Sequence, residues 1–462
     1  MISLRQNPNK GGSMDDYTLN LFKLKHLNID LKKSEIIYNE DDSSMLIIYL
    51  NNTTNSCPYC DSKDIKVRST IINNINYTIY IDLKTTIELH RRKFHCKCCN
   101  KYFTEKNPII SENRNISYMT DLKILELLKD PSITYSKAAM LTNTSPTHVQ
   151  NVFDNKIRIP KGNLSTVVCI DEVYAKRLAD HKYICSFYNP FEKMIIDILD
   201  TRYKYDLLEF TASYSFSERA KVKYVSIDLW DSYKEVALIS FPNAIVCADS
   251  FHVIKNLNVC FDTIRKKVQK RFEHLKKDKN SYYWLYKKYW KFLLRDFSKI
   301  YNGSILVRNR PVEMYMNKYQ ILDHMLELDN ELKLAYELKE AYRNFNQTAT
   351  IDDASDRLED LITSFKQSKI KEYYPFIRLL KKWKQEIINS FTRYNGQRIH
   401  NGYIERNNLL IKQIFNNGFG FRNFKRTRNR IIYVVNSNIC ISGSTKKISN
   451  KNIGHKRGKY TK

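Results

Sequence analysis

Apolar and polar positions alternate with a period of two over much of residues 71–94, where Tyr77, Ile79, Ile81 and Leu83 share one face and Ile87 and Leu89 continue it. That period predicts β-strand there, and a β-branched run predicts another strand over 35–50. From Ser117 to Phe153 the period lengthens to that of a helix, interrupted at Asp130-Pro131 and Asn143-Thr144, which predicts three short helices. Beyond Lys161-Gly162 come short β-branched and aromatic runs at 166–175, 182–189, 193–199, 222–229 and 243–249. The first three follow one another as a meander, and helical segments flank the other two. A mixed sheet covered by helices is the expected result. A helical stretch rich in Lys, Tyr, Trp and Leu fills 253–390, followed by a helix near 402–416, a basic segment and a tail with the composition of disordered chain. No internal repeat interrupts this order.

Composition sharpens the picture. The 462 residues are enough for about three domains. The chain carries 77 Lys and Arg against 49 Asp and Glu, a net charge of +28. Such an excess favours a polyanionic partner, nucleic acid before an anionic membrane. Part of it follows from codon composition, because Lys, Asn, Ile and Tyr all have AT-rich codons, so motifs must decide the matter. No apolar run reaches the roughly 18 residues of a membrane span, and Met1 to Asp16 lacks an apolar core that would mark it for export. No GxxxxGK[ST] signals nucleotide hydrolysis. The expectation is a soluble cytoplasmic protein with no membrane partner.

Five of the ten cysteines crowd between Cys57 and Cys99. Cys57-Pro-Tyr-Cys60 and Cys96-Lys-Cys-Cys99 are two CxxC turns separated by strand-like sequence, the arrangement of a zinc ribbon. Each turn can present two thiolates to one tetrahedral Zn²⁺, so Cys57, Cys60, Cys96 and Cys99 are the expected ligands. Cys98 leaves the register of the second pair open, and His95 is a further donor. The neighbouring Arg91, Arg92 and Lys93 are placed to meet DNA phosphates.

The three helical segments carry start signals. Ser117 opens the first, Thr134 the second, and Ser145-Pro146 supplies an N-cap and a first-turn proline for the third. Val149, Val152 and Phe153 would face inward, leaving Thr147, His148, Gln150 and Asn151 outward, as a helix-turn-helix recognition helix requires.

Three aspartates close apolar runs: Asp171 after Val167-Val168-Cys169-Ile170, Asp228 after Val225-Ser226-Ile227, and Asp249 after Ile245-Val246-Cys247-Ala248. A carboxylate at the end of a strand is held rigidly, which suits Mg²⁺ or Mn²⁺ binding in two-metal phosphoryl transfer. On a helix, Glu405, Asn408 and Lys412 share one face while Ile404, Ile411 and Phe415 share another. In the helical stretch, Tyr283, Tyr286, Trp290 and Leu293 have the spacing of core packing, whereas Lys287, Lys288 and Lys291 line either DNA or solvent.

Taken together, the segments Arg91-Arg-Lys-Phe-His-Cys-Lys-Cys-Cys-Asn-Lys-Tyr-Phe-Thr-Glu105, Ile170-Asp-Glu172, Ile227-Asp-Leu-Trp230, Pro242 to Lys255 and Gly418-Phe-Gly-Phe-Arg-Asn-Phe424 resemble bacterial insertion-sequence transposases of the ISL-three type. The resemblance implies a DDE catalytic domain of RNase H-like fold, with Asp171 and Glu405 as first and last acids. For the second acid it leaves two contenders, Asp228, which would close the fourth strand where this fold places that carboxylate, and Asp249 on the fifth. Asp228 is the expected one, since Asp249-Ser-Phe-His252 is similar to the C/D(2)H signature that follows the second aspartate. Asp249, His252, Asn408 and Lys412 then become supporting residues. It also implies binding to the terminal inverted repeats of an element, metal-dependent cleavage and strand transfer, and a homodimer or larger assembly on double-stranded DNA. Arg422, Lys425, Arg426, Arg428 and Arg430 are expected to grip phosphate. The alternatives are a catalytically inactive DNA-binding protein derived from a transposase and a structure-specific nuclease.

The expected architecture is multidomain α+β. It comprises a strand-bearing segment (1–50), a zinc-binding ribbon (51–105), a helix-turn-helix (106–160), a first catalytic part (161–258), an all-helical insertion (259–390), a second catalytic part carrying the glutamate helix (391–440) and a basic disordered tail (441–462).

Overall fold

The computed structural model describes residues 12–110, 114–175, 182–300, 305–418, 423–436 and 439. Arg422, the middle of the Gly418–Phe424 motif and the tail 441–462 lie outside the described residues. The chain divides into two units, one made of Met1–Pro160, Gln413–Gly420 and Lys425–Lys462, the other of Lys161–Lys412 and Phe421–Phe424. Both sheets and helices are present, in a mixed α+β fold.

The first unit opens with a six-stranded sheet built from β1 (Gly12–Ser13), β2 (Glu35–Tyr38), β3 (Ser43–Tyr49), β4 (Ile65–Asn76), β5 (Lys84–Cys96) and β6 (Tyr102–Thr104), with helix α1 (Asp16–Leu21) following β1. Its order is β1-β2-β3-β5-β4, with β6 added against β5. Thr85, Ile87 and Leu89 of β5 alternate inward and join Leu46, Ile48 and Ile75 beneath the sheet. The run expected as strand over 71–94 is two strands, because antiparallel pairing of β4 with β5 requires a reversal, and it falls at 77–83. Tyr77 and Ile79 still plug the core from that connection, with Tyr77 Oη donating to the Phe22 carbonyl at 2.9 Å. The boundary expected at residue 50 falls inside this sheet, since β3 pairs in parallel with β5 over Ser43–Tyr49. A lone two-stranded ribbon has too little apolar surface to stand by itself, and β2 and β3 supply it.

Three helices follow: α2 (Tyr118–Leu127), α3 (Tyr135–Leu141) and α4 (Pro146–Lys156). Ser117, Thr134 and Ser145 cap them by accepting from the backbone N–H groups of Thr120, Lys137 and His148. Ile124, Leu125, Leu128, Ala138, Ala139, Val149, Val152 and Phe153 form their core. A fourth helix from far along the chain, Phe424–Val435, completes it. Its Tyr433 is buried among these residues, meets Phe153 edge-on at 5.6 Å and donates from Oη to the Leu125 carbonyl at 2.9 Å. Lys129 Nζ donates to the Tyr433 carbonyl at 2.7 Å and the Asn436 carbonyl at 3.2 Å, satisfying groups the helix end leaves open. The segment expected as the second catalytic part therefore divides, and its last helix belongs with α2–α4.

The second unit is organised by a five-stranded sheet: β7 (Val167–Tyr174), β8 (Tyr183–Asn189), β9 (Met194–Leu199), β10 (Tyr224–Ile227) and β11 (Ile245–Ala248), in the order β11-β10-β7-β8-β9. β7, β8 and β9 are the antiparallel meander, while β10 and β11 run parallel to β7. Parallel neighbours need crossovers, supplied by α5 (Lys204–Ala212) and α6 (Phe216–Arg219) before β10 and by α7 (Asp231–Ser240) before β11. β7 is central and almost wholly buried, which explains its unbroken apolar run. From β11 the chain enters α8 (Ser250–Arg271) and a helical layer of α9 (Tyr282–Leu294), α10 (Lys318–Glu327), α11 (Asn330–Thr348), α12 (Ala354–Gln367), α13 (Tyr374–Lys382) and α14 (Lys384–Asn389). This layer has no core of its own: Phe261, Tyr286, Tyr342 and Phe376 belong to the same buried cluster as Val168, Ile170 and Ile227. The insertion expected from residue 259 thus begins inside α8.

Candidate active site and metal centres

Register places the acids. Ile170 pairs with Ile227, and Ile227 with Ala248, so the next residues form one row across three adjacent strands: Asp171 within β7, and Asp228 and Asp249 just past the ends of β10 and β11. Neighbouring strands lie about 4.8 Å apart, which puts Asp228 between two other carboxylates. All three are buried, at 5%, 7% and 3% exposure. Asp249 caps α8, accepting from the Phe251 N–H at 3.4 Å, and this turn sets His252 Nε2 3.2 Å from Asp228 Oδ1 and 4.0 Å from Asp249 Oδ2. Ligand atoms of Asp171, Asp228 and His252 lie within 4.8 Å of one another.

The glutamate helix (Gly402–Asn417) reaches this row through Asn408, whose Nδ2 donates to Asp171 Oδ2 at 2.6 Å. The other Asp171 oxygen accepts from the Glu172 N–H at 2.7 Å. Asp249 additionally accepts from the backbone N–H of Asn401, just before the helix. Ile404 and Ile411 are buried on the opposite face. Glu405 and Lys412 are exposed, and Glu405 stands outside the Asp171–Asp228–His252 cluster. It nonetheless feels that cluster: burial and then the Asp171 charge raise its carboxyl above the ordinary value.

The row is electrostatically unsatisfied. Burial, followed by the charges of Asp171 and Asp249, pushes the Asp228 carboxyl up to about 10. Burial likewise raises Asp249 to about 7, against the Phe251 and Asn401 N–H groups that pull it down. Asp228 Oδ1 is buried and meets His252 Nε2 at 3.2 Å as an ion-pair contact without hydrogen-bond geometry. Among the described residues no Lys or Arg forms an ion pair with any of the three; His252, its own charged form disfavoured by burial, stands beside Asp228 and Asp249, and Arg398 feels the Asp249 charge. Crowded carboxylate oxygens with no Lys or Arg ion pair, held on adjacent rigid strands, fit a divalent cation.

A second cluster lies at the end of the β4–β5 ribbon. Sγ of Cys57 is 3.6 Å from that of Cys99, and Cys60 is 3.6 Å from Cys96. Thiolates bound at about 2.3 Å to a tetrahedral ion would stand about 3.8 Å apart, so the four sulfurs already have the spacing of a single metal site. The register left open by the sequence closes here. Cys98 is exposed and outside the cluster, and His95 Nε2 engages Asn100 Oδ1 at 2.7 Å instead.

The residues expected to contact DNA fall into two sets. Thr147, Asn151 and Lys425 are exposed, and Lys93 is half-buried over the Tyr102 ring. The others have internal partners. Arg91 donates to Asn73 and to the Glu105 carbonyl, and Arg92 pairs with Glu105 at 2.7 Å. His148 lies 2.9 Å from the buried Asp121, and Arg426 joins Asp154 and Gln150. Arg428 Nη1 donates to Asn429. Arg430 is 3% exposed and donates to the carbonyls of Asp130 and Ile133 at 3.0 and 2.9 Å, so it ties the helices of this unit together. Sequence reasoning passed over Arg202, which lies 4.2 Å from both the Trp230 and Tyr183 rings and donates to Glu172 at 2.8 Å beside the acid row. Its partners come from separate segments; only the place of Trp230, two residues after Asp228, hinted at it.

Among the described residues, no helix is long and apolar enough to cross a membrane. No curated protein matches the chain significantly. A family model described as transposase, of the DDE, ISL-three type, matches residues 168–431. That match covers more than half the chain and takes in the three buried aspartates, His252 and the glutamate helix, and so the chain belongs to the ISL-three family of DDE transposases.

Proposed function

We propose that this transposase binds the terminal inverted repeats of a mobile element and performs metal-dependent cleavage and strand transfer at a site built on Asp171, Asp228 and Glu405. One observation carries the reading: Asp228 sits in register between two other buried acids, and the helix bearing Glu405 is hydrogen-bonded through Asn408 to Asp171. The sheet order, with the first strand central, the antiparallel meander on one side and two parallel strands on the other, agrees with an RNase H-like catalytic domain. Bound at these oxygens, Mg²⁺ or Mn²⁺ would activate an attacking water or 3′-hydroxyl and stabilise the leaving oxygen.

The chain's own residues divide the remaining work. Asn408 and the Glu172 N–H orient Asp171 so that its carboxylate cannot rotate away. Asp249, with N–H groups of Phe251 and Asn401 on its oxygens, acts as a positioning acid that joins the start of α8 to the start of the glutamate helix. Asp228, clustered with ligand atoms of Asp171 and His252, is the better second ligand. Thr147 and Asn151 on α4, together with the exposed Lys425, are the base- and phosphate-reading candidates, and the four-cysteine cluster holds Zn²⁺ as a structural ion. The protein works on double-stranded DNA in the cytoplasm as a dimer or larger assembly, because two ends must be paired.

The test is incubation of the protein with its element's ends and Mg²⁺, followed by mapping of nicks and joined products. Asp228→Asn should bind ends and make neither product. If it cuts normally while Asp249→Asn does not, the second acid is Asp249.

A further inference from the structure

The helical layer of the second unit holds a cavity of about 490 Å³ lined by Lys279, Trp284, Lys287, Lys288, Arg310 and Pro311. Its size suits a small organic ligand. Its wall is a fixed aromatic surface: the Trp284 indole N–H donates to the Lys276 carbonyl at 3.0 Å, which pins the ring at the start of α9. Asn280 hydrogen-bonds Glu313 and so ties the loop before α9 to the turn that carries Arg310 and Pro311. The four cations around this ring have no acidic partner among the described residues. Lys287 lies over Trp284 at 4.6 Å and Lys288 over Tyr289 at 4.9 Å, while Lys279 and Arg310 are exposed.

Four exposed positive charges without acidic partners around one aromatic and proline surface give it a positive potential that favours an anion. The cavity asks for a ligand with a flat π face and phosphates. A duplex cannot offer one, because its base faces are covered by their neighbours. We propose that this cavity binds an unpaired nucleotide of a DNA strand, its base stacked on Trp284 and its flanking phosphates held by Lys279, Lys287, Lys288 and Arg310. The site is distinct from the acid row. It rests on the transposase reading only for the identity of the nucleic acid, and it would hold a single strand exposed beside a cut end. The periodic aromatics that the sequence singles out do not form it: Tyr286 is fully buried, with its hydroxyl donating to the Met325 carbonyl. Trp284, off that stripe, does.

The experiment measures binding of a fluorescein-labelled oligothymidylate, and separately of a duplex of equal length, to the zinc-loaded full chain at physiological salt with no added divalent ions. Without added divalent ions or element sequence, the result is independent of whether the acid row cuts DNA. Stacking of one base predicts that Trp284→Ala weakens oligothymidylate binding about ten-fold and Trp284→Phe much less, with duplex binding changed by under about two-fold. Arg310→Ala, at an exposed position that tests the cavity without touching the ring, should weaken it about three-fold and lower its salt dependence. Unchanged oligothymidylate binding by Trp284→Ala or Arg310→Ala overturns the proposal, as does an equal loss for single strand and duplex. A chain that fails to cut DNA yet shows these losses retains the site; one that cuts normally and shows none lacks it.

Discussion

Replacing Asp228 by Asn should make the Mg²⁺-free protein more stable while abolishing its response to Mg²⁺. With ligand atoms of Asp171 and Asp228 within 4.8 Å, two full charges in an effective dielectric of about 20 repel by about 3.5 kcal/mol. Relief by protonation is no cheaper. Moving the carboxyl from its ordinary 3.8 to about 10 means that the folded protein holds a proton the unfolded chain releases, a cost of about 4 kcal/mol at neutral pH. Allowing for relaxation and water entry, the substitution should recover about 2–4 kcal/mol, which for a domain of this size is roughly 5–10 °C in thermal midpoint. The sign follows from linkage. A raised folded-state value makes stability complete below the unfolded pKa and lost as pH rises, so the advantage of the variant should be largest near neutrality and vanish near pH 4. Thermal melts without added Mg²⁺ from pH 4 to 8, repeated with Mg²⁺, measure both effects. Mg²⁺ should raise the wild-type midpoint and leave that of Asp228→Asn unmoved. A variant no more stable than wild type without Mg²⁺ at neutral pH, or one that Mg²⁺ stabilises equally, would refute the crowding of Asp228 between its neighbours.

Four further outcomes test the remaining parts. Purified protein should carry one zinc per chain by metal analysis, with Cys57→Ser or Cys96→Ser losing it and Cys98→Ser keeping it, because Cys98 lies outside the four-sulfur cluster. Asp121 is 1% exposed and meets both Arg114 at 2.7 Å and His148 at 2.9 Å. Its replacement by Ala should cost about 1–3 kcal/mol in chemical denaturation of the first unit, since it leaves two half-buried donors without their acceptor. Lys425→Ala should weaken end binding evenly across sequences and reduce its salt slope by about 1. Arg430→Ala should instead lower the melting midpoint, because its guanidinium holds the carbonyls of Asp130 and Ile133.

Features decided within a few residues of chain were legible before folding. The caps at Ser117, Thr134 and Ser145 bond to the third residue onward; the CxxC turns, the acids closing apolar runs and the two-faced glutamate helix are equally local, and their spacing alone exposes them. Tertiary structure decided what those pieces meet. Pairing of β10 between β7 and β11 set Asp228 amid the acids, and the Asn408–Asp171 bond closes a separation of 237 residues. Tyr433 completes the α2–α4 core from 308 residues beyond Leu125, which turned arginines expected on phosphate into ties within the unit. Neither pairing leaves a trace in local periodicity. Strand order and long-range packing are selected by the burial of whole faces against one another, and a residue's neighbours in sequence do not say which distant face will cover it.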